Sequence, residues 1–209
     1  MRQTGQSTCY VVDSDLPWSE ADIDPSDGEF EAATLVGPGG RYRCELRRIA
    51  AGGAMLRGDA QASAGEPASL ELASGQRRSG RLEPSASGAL AFAFDEPLDI
   101  VALINRNLVS QPAERRSMPR VELRAPSHVK WAEHLAVATV RNISSAGIQV
   151  EGDNLPPQGT LASLYLEGII LPPAEAVWRR TGLAGFEFFE DLGWSSLIAW
   201  VRDRSRQPR

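Results

Sequence analysis

A basic cluster and a polar motif lie close together in the second half of the chain. The basic residues are Arg115, Arg116 and Arg120, in the stretch ERRSMPR, and the polar residues, which begin 22 positions after the last arginine, are Asn142, Ser144 and Gly147. A guanidinium group binds a phosphate or the O6/N7 edge of guanine through two parallel hydrogen bonds. An asparagine amide is both donor and acceptor, and a serine hydroxyl rotates to suit its partner. The pattern RxxxR followed by NxSxxG therefore indicates a site for a ligand that carries phosphates and purine bases.

Each part of this pattern also has a simpler interpretation. The arginines suit the solvated face of a linker, the asparagine suits a turn, and the serine suits the end of a strand. The two motifs in this order and spacing, before a stretch that reads GFEF, favour a binding site instead. Two further arginines, Arg179 and Arg180, follow Trp178, and the sequence leaves open whether they reach the ligand or decorate an exposed strand.

The polar motif has a counterpart earlier in the chain, because residues 47–53 read RRIAAGG where residues 141–147 read RNISSAG. The same offset of 94 residues places ASLEL at 68–72 on ASLYL at 162–166 without a gap. A fixed register over this distance predicts two related domains, each of ordinary size.

The first copy lacks the residues that would bind the ligand. At the matching positions the asparagine is replaced by Arg48 and the serine by Ala50, and only the glycine is kept, as Gly53. The places of the two RxxxR arginines are taken by Asp22 and Ser26, in the acidic stretch DIDPSDGE, which would repel phosphate. The first copy is therefore predicted to keep the fold without the site.

The elements that carry these motifs are predicted to be mainly β-strands. Short alternating or β-branched runs recur in both copies, punctuated by glycine, proline and asparagine, at the spacing of an antiparallel sandwich or barrel. Small antiparallel β domains avoid exposed edges most fully by closing into barrels. The predicted parts are an acidic, flexible segment 1–30, a first barrel domain 31–109, a linker 110–120 that carries the RxxxR arm, and a second barrel domain with its helix 121–206.

Each copy is predicted to end in a packing helix, over 95–109 in the first and 191–204 in the second. The apolar stripe of the first is Leu98, Val101, Ala102 and Ile104, and that of the second is Trp194, Leu197, Ile198 and Val201. This spacing places each set on one helical face. Trp194 of the second stripe is expected to fill the core rather than to contact a ligand.

Composition argues against several classes of function. The net charge is −5, but residues 1–32 carry −7 and the remainder +2. The acidic balance, without a long basic stripe, argues against a nucleic-acid binder. No apolar run reaches the roughly 18 residues of a membrane span, and the N-terminus does not resemble a signal peptide, so we expect a cytoplasmic protein.

The nucleophilic and metal-binding residue types are few. Cys9 and Cys44 could form one disulfide, but two free thiols in a reducing compartment are the favoured interpretation. His128 and His134 lie six residues apart with no cysteine or acid at a metal-binding spacing, so they are expected to be ordinary strand residues. No set of catalytic side chains emerges, and we expect no enzyme.

The combination of motifs resembles the PilZ domain, a family of small six-stranded β-barrels that bind the bacterial second messenger cyclic di-GMP. The resemblance covers residues 114–190, from ERRSMPRV through RNISSAGIQV to AVWRRTGLAGFEF, and extends more weakly through the internal repeat to 35–95. It implies a mainly β protein of two six-stranded antiparallel barrels in tandem, each followed by a helix, of which the first is degenerate.

The resemblance also implies a role for each residue of the two motifs. In the family the RxxxR arginines, here Arg116 and Arg120, hold phosphates and guanine edges from a flexible segment before the barrel. Asn142 and Ser144 are implied to hydrogen-bond the ligand from the barrel surface, and Gly147 to permit the turn.

The resemblance also carries expectations for the whole chain. The extra base Arg115 stands directly before the motif, where such a residue is associated in the family with two stacked ligand molecules rather than one. We expect a bacterial cyclic di-GMP receptor or adaptor, without catalysis, metal or cofactor, that changes the arrangement of its domains to signal to an unidentified protein partner. The alternatives are an interaction scaffold or a nucleic-acid or phosphate binder with no response to cyclic di-GMP.

Overall fold

The fold comes from a computed structural model that describes residues 8–14, 16–17, 29–59, 63–83, 89–110 and 119–205. The chain divides into two compact units, Met1–Pro119 and Arg120–Arg209. The predicted site residues Arg115 and Arg116 lie outside the described residues. Asp22 and Ser26, which the offset of 94 matches to Arg116 and Arg120, lie outside the described residues as well.

The first unit contains seven described strands and one helix. They are β1 (Cys9–Val11), β2 (Glu31–Gly37), β3 (Gly40–Ala50), β4 (Gly53–Arg57), β5 (Pro67–Leu72), β6 (Arg77–Glu83), β7 (Leu90–Phe94) and α1 (Ile100–Ser110). Antiparallel neighbours pair in the order β2, β3, β4, β7, β6 and β5, and β5 pairs again with β2.

Strand β1 was not predicted, since it lies in the segment 1–30 that the sequence indicated to be flexible. It pairs in parallel with β3, and Tyr10 at its centre is fully buried. The prediction is therefore wrong for these three residues: a short apolar stretch, CYV, packs into the unit although its surroundings are acidic.

The second unit is a closed six-stranded antiparallel barrel with a helix at its C-terminal end. Its elements are β8 (Arg120–Trp131), β9 (His134–Ile143), β10 (Gly147–Glu151), β11 (Leu161–Leu166), β12 (Ala174–Arg180), β13 (Leu183–Phe188) and α2 (Trp194–Ser205). Neighbours pair in the order β8, β9, β10, β13, β12 and β11, and β11 pairs again with β8. The predicted mainly β fold, with a closed barrel followed by a helix, is confirmed for this unit.

Alternation of side chains explains why these strands close around a core. In β11, with the sequence LASLYL, every second residue is buried and those between are exposed. Successive side chains of a strand point to opposite faces, so such a strand has one face toward the core and one toward solvent. Large buried side chains of the second unit include Val129, Val140, Ile143 and Val150, all 0% exposed.

Helix α1 begins five residues later than predicted, at Ile100 rather than residue 95. Pro97 precedes it, and the Asp99 carboxylate accepts a hydrogen bond from the backbone N of Ala102 at 2.9 Å. This is an N-cap contact, which fixes where the helix starts. The predicted stripe was partly wrong, because Ala102 is exposed while Leu103 is buried.

Helix α2 begins three residues after the predicted position and buries most of the predicted stripe. Leu197, Ile198 and Val201 are buried, but Trp194 is 36% exposed at the start of the helix. Trp200 is the buried tryptophan, and its Nε1 donates a hydrogen bond to the Glu167 carbonyl oxygen at 2.8 Å. The expectation of a core role therefore holds for a different tryptophan.

Two smaller findings concern thiols and membrane spans. Neither Cys9 nor Cys44 forms a disulfide, as favoured from the sequence. Among the described residues, neither helix has the length and apolar character needed to cross a bilayer.

Candidate ligand-binding face

The polar motif lies where the pairing of β9 becomes irregular. Asn142 pairs with Gln149 of β10, but the next paired residue of β9 is Val140, so the register skips Arg141. Val140 and Ile143 are both buried. The two residues between them therefore both stay outside the core, because the extra residue forms a β-bulge. Bulges commonly re-aim side chains beside binding sites, and this one presents Asn142 on the outer side of the barrel.

One row of residues crosses the outer side of the barrel through Asn142. Its Nδ2 donates to Oε1 of Gln149 at 2.5 Å, and the register places Glu122 of β8 on its other side. Gln149 pairs in turn with Gly185 of β13, and Gly185 pairs with Trp178 of β12. Five adjoining strands thus each contribute one residue to this row.

A second row runs beside the first, toward the start of β8. The Ser144 backbone N donates to the Gly147 carbonyl oxygen at 2.9 Å, which closes the turn between β9 and β10. Val121 pairs with Ile143, and Arg120 is the first residue of β8, directly before Val121. Continued by one residue, this antiparallel register puts Arg120 opposite Ser144, and we therefore assign Arg120, Ser144 and Gly147 to the second row. We call the two rows together the candidate face.

Gly147 is required for space rather than for a turn conformation. Its φ is not in the left-handed region. A Cβ at this position would overlap the carbonyl oxygen of Phe186 on β13, and would stand 3.4 Å from the Cα of Glu187. The implied role of permitting the turn is therefore replaced by a close approach of two strands beside the polar motif.

Trp178 covers the end of the first row. A Cβ on Gly185 would overlap Nε1 and Cε2 of the indole, and would lie 2.8 Å from its Cζ2. The indole therefore lies directly against the glycine backbone. Because Trp178 is only half-buried, its ring is available as a stacking surface on the candidate face.

The two arginines after Trp178 differ in their placement. Both are exposed at the end of β12. The Arg180 guanidinium carbon lies 5.7 Å from the centroid of the Trp178 ring. Arg179 lies between these two residues on β12, so its side chain is on the opposite face of the strand, and it pairs with the buried Ala184. Only Arg180 therefore lies beside the candidate face.

Two arginines beside the candidate face pair with one carboxylate, that of Glu151. Arg141 Nη1 donates to Glu151 Oε2 at 2.7 Å, and Arg124 Nη1 lies 3.5 Å from the same oxygen. The hydrogen bond from Arg141, together with the charges of both arginines, holds the pKa of the Glu151 carboxyl below its ordinary value. Arg124 and Arg141 thus pair with Glu151 within the second unit. Arg120, in contrast, is the first residue of β8 and belongs to the candidate face.

The equivalent positions of the first unit offer no such face. Arg48 and Ala50, which stand at the places of the asparagine and the serine, are 4% and 0% exposed. Gly53 is likewise buried at the start of β4. The predicted loss of polar atoms is therefore accompanied by a loss of accessibility.

The structure brings four of the predicted site residues together: Arg120, Asn142, Ser144 and Gly147. It adds four members that the sequence did not suggest: Glu122, Gln149, Trp178 and Gly185. Of these, Gln149 could have been found, since a short turn after Asn142 sets the hairpin register that pairs the two residues. The meeting of Trp178 with Gly185 depends on a register shift in β12 and has no local signal.

The histidines belong to a different part of the second unit. His128 lies within β8 and is exposed, and His134 begins β9 and stacks on Trp131 with ring centroids 5.2 Å apart. Within the described ranges, no group of three or more His, Cys, Asp or Glu side chains is placed to hold a metal ion.

Comparison with known proteins gives remote structural likenesses only. No family model matches the chain, and no curated protein matches it. A structure of the Borreliella burgdorferi PlzA protein in complex with c-di-GMP is similar at 10% identity and a TM-score of 0.30, over 81% of this chain and 86% of that one. Bacillus subtilis Inhibitor of motility (MotI/DgrA) is similar at 14% identity and a TM-score of 0.33, over 86% and 98%. The K. pneumonia MrkH–c-di-GMP complex is similar at 12% identity and a TM-score of 0.28, over 83% and 84%.

Proposed function

We propose that the second unit binds cyclic di-GMP on the candidate face and that the chain is a non-catalytic receptor for this dinucleotide. The observation that carries the proposal is the placement of Arg120, Asn142, Ser144 and Gly147 on adjoining positions of one barrel face, although up to 27 residues separate them in sequence. These residues form the motifs that resemble the PilZ domain.

The chemistry of the face complements the two halves of the ligand. Arg120 can hold a phosphodiester or the O6/N7 edge of a guanine. The oxygens of Asn142 and Glu122 are acceptors for the N–H donors on the Watson–Crick edge of that base. The Trp178 indole offers a flat surface to a purine, a contact worth about 1–3 kcal/mol per base.

The remaining basic residues of the site would come from the segment before β8. Arg116 stands four residues before Arg120, and Arg115 directly before it. Because the chain enters the candidate face at Arg120, we include both arginines in the proposed site. Arg180, which lies beside the indole, is proposed as an outer contact and Arg179 is not.

We further infer that the first unit is a second, degenerate barrel of the same kind. Strands β3, β4 and β5 and helix α1 each begin 94 residues before β9, β10, β11 and α2. The pairing between β3 and β4 skips Arg47, which stands 94 residues before the bulged Arg141. An equal offset of strands, helix and bulge supports a tandem duplication in which only the second copy kept a ligand site.

The proposed signal passes through the segment that joins the two units. A ligand held by the arginines of that segment and by the barrel would favour one arrangement of the chain over others, in proportion to its difference in affinity. The receiver would be a protein partner. No nucleic acid is proposed as partner, and the proposed location is the cytoplasm.

Isothermal titration of cyclic di-GMP tests the proposal. The wild-type chain should bind it, the Arg116→Ala/Arg120→Ala variant should lose binding, and Arg179→Ala should bind as wild type does, because that arginine lies away from the face. GTP should compete only weakly, since it can make the contacts of one guanine but not those of a second base and a second phosphodiester. Equal binding by the double variant, or no binding by wild type, would refute the receptor function.

A further inference from the structure

Strand β1 occupies, in the first unit, the place that the start of β8 occupies in the second. In the second unit the residues that follow Arg120 pair with the end of β9. In the first unit the matching end of β3 is paired instead with β1. The matched register pairs are Val121–Ile143 and Glu122–Asn142 in the second unit, and Tyr10–Ile49 and Cys9–Arg48 in the first.

Among the residues that the structure describes in the first unit, β1 is the strand that pairs with β3 at residues 48 and 49. Strand β2 begins only at Glu31, which pairs with Leu46, and these stand 94 residues before Ala125 and Val140. The preceding sequence DIDPSDG is rich in aspartate and contains a proline, residue types that disfavour a strand. The edge of β3 from residue 48 to residue 49 is therefore left for another strand, and β1 takes it.

Hydrogen bonds of the Thr8 and Tyr10 side chains hold β1 at this edge of β3. The Thr8 hydroxyl donates to the Leu46 carbonyl oxygen and accepts from the Glu31 backbone N, both at 2.8 Å. The Tyr10 hydroxyl donates to Glu31 Oε1 at 2.6 Å and accepts from Asn107 Nδ2 at 2.7 Å. Thr8 and Tyr10 are both 0% exposed. We call this edge of β3, together with Glu31 and Asn107, the groove; it accommodates a hydroxyl residue and, two positions later, a phenol.

We propose that the first unit is a strand-binding unit, whose groove takes an extended peptide where the second unit offers its face to a dinucleotide, and that residues 8–11 fill this groove in cis. The inference rests on the correspondence of the two units within the proposed function, and it does not depend on which ligand the second unit binds. Parallel pairing with β3 and side-chain pockets for alternate residues are the features of strand addition to a sheet edge. The chemical class of occupant is therefore an extended segment with the pattern Thr/Ser–x–Tyr–Val.

A disulfide trap tests whether β1 is the occupant and where it comes from. Neighbouring strands lie about 4.7–4.9 Å apart, so the Cα atoms of partners such as Cys9 and Arg48 fall within the range of a disulfide. In the full-length Arg48→Cys/Cys44→Ser variant, mild oxidation should join Cys9 to the new cysteine within one chain, and the product should migrate as a monomer on a non-reducing gel. Failure to form the bond would overturn the placement of β1, and a covalent dimer would overturn its assignment in cis.

Peptide binding tests whether the groove accepts a separate strand. The probe is a fluorescent peptide with the sequence of residues 4–14 and serine at position 9. The full-length Thr8→Ala/Tyr10→Ala variant should bind it at least about tenfold more tightly than wild type, because its own strand competes less well. The oxidised trap variant should not bind the peptide. A peptide with aspartate in place of Tyr10 should bind neither the wild type nor the double variant. No binding by a double variant that keeps the wild-type far-UV circular dichroism would overturn the proposal.

Hydrogen exchange on the wild-type chain provides a readout that needs no variant to fold. Saturating peptide should change exchange in β1 and in residues 46–50 of β3, and leave the second unit unchanged. An unchanged pattern would overturn the strand-binding assignment. A chain that fails to bind cyclic di-GMP but binds the peptide would refute the proposed receptor function and leave this inference standing.

Discussion

Substitution of Gly185 by alanine should remove the stacking surface of the candidate face without touching a polar residue. The added Cβ would overlap two atoms of the Trp178 indole. The indole is the part that can move, because it is half-buried on the outer side of the barrel. Displacing it would cost about 1–3 kcal/mol of unfolding free energy, the usual penalty for overpacking.

The expected effect on ligand binding follows from the stacking contact. If a guanine of the ligand stacks on Trp178, its loss weakens cyclic di-GMP binding by about 1–3 kcal/mol, or about 5- to 150-fold. Titration calorimetry and chemical denaturation of Gly185→Ala, Trp178→Ala and the double variant measure both effects. Because the two substitutions act through one side chain, the affinity losses should not add.

The double variant decides between the indole and a general disturbance of the barrel. In the Trp178→Ala background the Cβ at position 185 has room, so Gly185→Ala should there cost little stability and no further affinity. The first unit is consistent with this expectation, since Ala91 stands 94 residues before Gly185 and its partner on β6 is Glu83 rather than a tryptophan. A Gly185→Ala effect of equal size in both backgrounds would contradict the placement of the ring.

Three further substitutions test packing and charge. Gly147→Ala should lower the unfolding free energy by about 1–3 kcal/mol in chemical denaturation, because its Cβ would overlap a carbonyl oxygen of β13; an unchanged midpoint would argue against the close approach. Arg141→Met should bring the pKa of the Glu151 carboxyl up toward its ordinary value, since the hydrogen bond from Arg141 is the main cause of its lowering, and a carbon-13 NMR titration would show no change if that bond were absent. Burial raises the pKa of the Glu31 carboxyl, so the folded state holds its proton more tightly than the unfolded state does. The stability of wild type relative to Glu31→Gln should therefore be greatest below the unfolded pKa of Glu31 and be lost as the pH rises through the folded value, and denaturation curves with the opposite slope would refute this.

The parts of the fold that follow from local patterns could be predicted from the sequence. The alternation in β11 and the apolar spacing in α2 depend on residues that are neighbours along the chain. The offset of 94 matches Gly53 with Gly147, and each of these glycines is the first residue of a strand, β4 and β10 respectively. The start of α1 was missed because the cap at Asp99, not the apolar stripe, determines it.

The parts that depend on contacts between distant strands could not be predicted. Tyr10 lies in three apolar residues beside an acidic segment, and its burial depends on partners 21 and 97 residues away. No local pattern indicates such partners. The same reason applies to Trp178, whose place on the candidate face depends on a register shift between β12 and β13.

The loss of the ligand site in the first unit and the gain of strand β1 are, we infer, one change. Both units keep a bulge at the same place, at Arg47 and Arg141. In the second unit the bulge leaves Asn142 half-buried on the outer side, whereas in the first the matching Arg48 is 4% exposed beside β1. Burying a hydroxyl without a hydrogen-bond partner costs free energy, so at the fully buried position of the serine a covered edge favours Ala50. Under the proposed duplication, an edge covered by β1 could not bind a dinucleotide through these positions, so selection for the polar residues of the motif would end there.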